Sequence, residues 1–64
     1  MSEQAQELAS LPRAAQKIDW AARALIAAAL DLRDIGKTAA SGVIAEEAGR
    51  VEGLAGEVRE LKVT

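Results

Sequence analysis

Between Leu11 and Leu32 one pattern governs this chain: Leu11, Ala15, Ile18, Ala22, Leu25, Ala29 and Leu32 follow one another at alternating spacings of four and three. Steps of that size keep all seven residues on one side of an α-helix, and a sustained 3/4 alternation is the seam of a helix lying along another helix. A strand would need an apolar period of two, so the pattern excludes one here. Every second position of the stripe is Ala. Burial stabilises by roughly 25 cal/mol per Å² of apolar area, so an Ala contributes little by its own bulk. What it offers is a close approach between backbones.

Punctuation brackets the stripe. Ser10 suits an N-cap and Pro12 a first turn, where its missing N–H costs nothing. Gly36 suits the residue just past a helix end, in the left-handed region. The spacing predicts a helix over 12–34, about 35 Å long at 1.5 Å per residue, after a polar, flexible segment over 1–9. Residues 35–42 are small and polar enough for a turn. Beyond them Ile44, Val51, Leu54, Val58 and Leu61 form a second stripe flanked by Ala48 and Ala55, which predicts a helix over 43–62. Thr38 or Ser41 could cap it, with Glu46 and Glu47 early in the helix, where the dipole favours anions. Carrying the first stripe onward lands on Gly36, Ala39, Val43, Glu46 and Arg50, so its register fails by the end. The expected fold is therefore all-α: a two-helix antiparallel hairpin over 10–64 that assembles into a helical bundle or coiled coil. One long interrupted helix is the alternative, because coiled coils can absorb such a slip.

Size makes assembly matter. A chain of 64 residues buries too small a share of its surface to be more than marginally stable alone. With no Cys and no His, disulfides and nearly all structural zinc sites are excluded. Fifteen alanines and a single aromatic, Trp20, make the chain better at forming helices than at filling a private core. The net charge of −2 offers no basic surplus for phosphates, and no aromatic series could stack bases. The most apolar run, residues 20–30, includes Arg23 and falls short of the about 20 residues a bilayer crossing takes. A polar Met-Ser-Glu-Gln start does not resemble a signal peptide. A cytoplasmic protein that binds neither nucleic acid nor membrane is expected.

Candidate functional residues sort into two sets. Leu11, Ile18, Leu25, Leu32, Ile44, Val51, Leu54, Val58 and Leu61 are the expected core, within the hairpin or between copies. Trp20 projects about 160° from the Ile18–Leu25 stripe at 100° per residue. Ala24, Ala27 and Asp31 continue its row with Leu30 nearby, a second largely apolar row, and Trp is common among interface hot spots. Gly42, Gly49 and Gly56 recur every seven residues on the far side of the second helix, where a groove could admit another backbone. Trp20, Ala24, Ala27, Leu30, Gly49 and Gly56 are thus the expected second interface; if the Trp20 row and the glycine groove both pack, each molecule has two faces, which suits a higher homo-oligomer or an open filament. Glu47 lies near the apolar stripe with Arg50 at i+3, which predicts an ion pair on the rim.

Catalytic signals are thin. Gly36-Lys37-Thr38 echoes the end of a phosphate-binding loop, but Asp31 stands where the motif needs its first Gly, and a helix precedes instead of a strand. Without His or Cys, no Ser-His or Cys-His nucleophile and no Glu-x-x-His metal pair is possible. No enzyme activity and no cofactor are expected. The runs Ile44-Ala-Glu-Glu-Ala and Gly56-Glu-Val-Arg-Glu-Leu61 resemble coiled-coil signalling helices such as the cytoplasmic hairpin of chemoreceptors, over less than a third of the chain and through common coiled-coil residues. No function follows from that. The expected function is structural, self-association through Ala- and Gly-rich helix faces. The alternative is a small acidic adaptor or antitoxin-like module that orders on a helical partner protein.

Overall fold

The computed structural model describes residues 3–61, apart from the side chains of Glu3, Gln4 and Glu7. Two helices, α1 (Glu3–Asp34) and α2 (Thr38–Glu60), pack against each other as an antiparallel hairpin, with no strand among the described residues. The molecule extends 52 × 15 × 9 Å, which is one helix layer thick.

The hairpin closes at the expected glycine. Gly36 adopts φ +82°, a conformation that costs an L-residue with a Cβ roughly 1–2 kcal/mol. Its N–H donates to the Arg33 carbonyl at 3.0 Å, and the Lys37 N–H donates to the Leu32 carbonyl at 2.8 Å. That pair of bonds is a Schellman motif, which satisfies carbonyls the helix end would leave orphaned. Chain reversal is complete within residues 35–37, so the expected turn over 35–42 is too long. Helix α2 starts at Thr38 behind Lys37, which makes no side-chain cap. Neither Thr38 nor Ser41 caps it, and Glu46 and Glu47 lie in its third turn rather than its first. Ala39, Ala40 and the C-cap geometry of α1 let the helix begin as soon as the chain has turned.

The other end also differs from expectation. Residues 3–9, expected as a flexible segment, are the first turns of α1, and Pro12 lies inside the helix; Met1 and Ser2 lie outside the described residues. Pro12 cannot donate to the Leu8 carbonyl, a loss that costs about 3 kcal/mol in an ordinary helix interior. Ala5, Gln6, Leu8 and Ala9 are good helix formers and carry the helix past it. α2 ends at Glu60, so the expected boundary at 62 is two residues too far, and Lys62 is outside the described residues.

What joins the helices is an alanine seam. Among the described residues, the buried ones are Ala15, Ala22 and Ala29 on α1 and Ala48 and Ala55 on α2, at 0–4% exposure. On each helix they recur every seven residues, the period of two helices wound along each other. Ser41 continues the α2 row and donates its hydroxyl to the Ala29 carbonyl at 2.7 Å. Stepping seven residues in opposite directions from that contact brings Ala22 level with Ala48 and Ala15 level with Ala55. A cross-helix ion pair, Arg59 to Asp19, sits on one flank of the seam.

Candidate functional site

Because the seam is built from the smallest apolar side chain, the large ones stay beside it. Leu11, Ile18, Leu25 and Leu32 on α1 and Ile44, Val51 and Val58 on α2 are only half-buried. Among the described residues, no side chain larger than alanine's is fully buried. Leu54 and Leu61, expected in a core within the hairpin or between copies, are 51% and 58% exposed in the single hairpin. They are not between the helices. Ala48 and Ala55 hold that place, because helices this close leave room for a methyl group and not for an isobutyl group.

The geometry puts these side chains on one side of the molecule. At 3.5 residues per turn, Leu11, Ile18, Leu25 and Leu32 form a column about 50° from the alanine row. Ile44, Val51 and Val58 form a column at the same angle on α2. In an antiparallel pair, equal rotations from the seam face the same way, so the two columns lie side by side. About 50° further round, the outer column of α1 is Ala14, Ala21 and Ala28. The matching outer column of α2 is Ala40, Glu47, Leu54 and Leu61. Glu47 is the single charged residue in these four columns. Its carboxylate accepts from the Arg50 guanidinium at 3.1 Å, and both side chains reach solvent, as expected of a rim pair.

The opposite side is polar. Asp19, Arg23 and Arg33 from α1 share it with Glu52 and Arg59 from α2, interrupted by the exposed Ile26 and Leu30. Gly42, Gly49 and Gly56 lie on the α2 flank of this side. Nothing stands within 4 Å of where a Cβ on any of them would sit, nor at Gly53. The hairpin's own packing therefore gives no reason for glycine at these positions.

The residues of the expected second interface lie on both helices. Trp20, 54% exposed, and the exposed Ala24 and Ala27 run along the outer edge of α1, with Leu30 on its polar flank. Gly49 and Gly56 belong to α2, across the width of the hairpin. The two sets do not form one patch. The four-column apolar face was not expected from the sequence. Its seven-residue columns were visible in the sequence, but their alignment depends on which way the hairpin closes.

A groove lined by Ala5, Gln6, Ala9, Ser10 and Arg13 is walled by α1 alone. Among the described residues there is no cluster of three metal-ligating side chains. No helix among them is long and apolar enough to cross a membrane. No known family, no curated protein and no solved structure matches this chain.

Proposed function

We propose that this chain is a structural protein that works by associating with itself, the hairpin being the unit of a larger helical assembly. One observation carries the reading: every large aliphatic side chain of the seam region remains partly in water, while among the described residues only alanines are buried. Fully burying a Leu, Ile or Val is worth about 1.5–3 kcal/mol. Each half-buried residue thus leaves on the order of 1 kcal/mol to be gained when something covers it. Contiguous apolar patches beyond a few hundred Å² are rare on soluble monomers and mark interaction surfaces. The proposal assigns the chain no catalysis, no cofactor and no nucleic-acid partner, and a cytoplasmic location belongs to it; recovery with the membrane fraction would count against that location.

Dilution tests the reading. If copies stabilise one another, mass action ties folding to concentration. The helical signal at 222 nm and the thermal midpoint should both fall as the protein is diluted over two or three decades. A midpoint independent of concentration, with helicity undiminished, removes self-association as the function.

The second reading is a module that orders on a different protein. The empty space before Gly42, Gly49, Gly53 and Gly56 favours it, since each interior glycine costs a helix about 1 kcal/mol relative to alanine. A chain that needs a foreign partner would show weak helicity at every concentration of itself.

A further inference from the structure

Resting on the proposal of self-association, we infer that the second copy docks on the four-column apolar face, and that two hairpins close as a four-helix bundle about a two-fold axis parallel to the helices. Surface area points to an occupant of this size. The chain exposes 4897 Å². A compact monomer of its 6.7 kDa mass would expose about 3,900 Å² by the scaling that folded monomers follow. The excess, about 1,000 Å², is slightly more than the roughly 800 Å² each partner contributes to a stable interface.

The shape of the face points to another copy of itself. Its α1 half is shallow, ending in the outer column Ala14, Ala21 and Ala28. Its α2 half is prominent, ending in Leu54 and Leu61. Rotation by two-fold symmetry about an axis along the helices lays α2 of each copy over α1 of the other. Leu54 then arrives at a level between Ala14 and Ala21 of the other copy, and the reciprocal contact forms at the same time. That is the self-complementarity an isologous interface requires. Every neighbouring pair of helices in the result is antiparallel, as in an up-down four-helix bundle, with the two inner columns as its core. Glu47 keeps its place on the rim with Arg50.

Light scattering on the full chain tests this. Wild type should elute at twice the single-chain mass. Leu54→Lys puts a charge on the apolar face, so the dimer and, with it, the helical signal should be lost at a concentration at least about tenfold higher than for wild type. Trp20→Ala, on the outer edge, should leave the dimer intact. Because the chain has no Cys, disulfide trapping gives an independent reading that does not depend on how Leu54→Lys folds. A mixture of Leu54→Cys and Ala14→Cys chains should form mixed disulfide dimers on mild oxidation, in excess of those from a mixture of Trp20→Cys and Gly49→Cys chains. A dimer that survives Leu54→Lys, dissociates on Trp20→Ala and cross-links through Trp20→Cys overturns this face while leaving self-association standing. A wild type at the single-chain mass throughout overturns both.

Discussion

Ala22→Leu should open the hairpin's seam. Ala22 is 0% exposed and lies level with Ala48, itself 1% exposed, so the two helices close off both side chains from solvent. The substitution adds three carbons where two helices meet through methyl groups. Forcing extra methylenes into a packed core costs typically about 1–3 kcal/mol. Leucine's helix propensity lies close to alanine's, so local helix stability changes little and the loss is a packing loss. For a domain of this size each kcal/mol moves the thermal midpoint by roughly 4–8 °C, so the fall should lie between about 4 and 24 °C. Thermal unfolding followed at 222 nm, at one fixed concentration, reads it. Ala45→Leu supplies the control: Ala45 is exposed on the polar side of α2, and the same enlargement there should shift the midpoint little. An Ala22→Leu midpoint equal to or above wild type would refute the alanine seam, because it would mean that Ala22 faces open space.

Other outcomes follow from single features. Gly49→Ala and Gly36→Ala should act in opposite directions: the first fills empty space in a helix and should stabilise by about 1 kcal/mol, the second forces a Cβ onto φ +82° and should destabilise by roughly 1–2 kcal/mol; urea midpoints distinguish them. Asp19→Ala removes the cross-helix pair with Arg59, but both side chains are part exposed, so the loss should stay below about 1 kcal/mol and vanish in high salt. Pro12→Ala should raise the helical signal by firming the turns before it, with little change in the hairpin's midpoint, because those turns extend beyond the end of α2. A midpoint rise as large as the about 3 kcal/mol penalty of an interior proline would instead tie those turns to the hairpin.

Much of the fold was legible because it rests on period and punctuation. The 3/4 stripe from Leu11 to Leu32, the phase break and Gly36 together specify two helices and the site of reversal, and each is a local property of the chain. The helix ends were less legible. Pro12 and Ser10 look like a start, yet a run of strong helix formers before them outweighs the signal, and α2 begins without any side-chain cap. Which residues of the apolar stripes the hairpin itself covers was not legible, for a different reason. Large apolar residues outrank alanine in burial energy taken one at a time, and sequence alone does not reveal that the helices approach too closely for them. The hairpin buries Ala48 and Ala55 and leaves the leucines outside. The apolar face depends on the same closeness: it joins columns from two helices, and only the antiparallel register at Ser41 and Ala29 sets them side by side.

Sedimentation equilibrium on the unmodified chain tests the central claim most directly, since the claim is that one hairpin is an incomplete unit. The account predicts a mass at least twice the 6.7 kDa of one chain, falling toward the single-chain value only as dilution also takes away the helical signal. A mass of one chain at every concentration, with full helicity and a cooperative melt, would contradict it: the alanine seam alone would then be sufficient to fold the molecule.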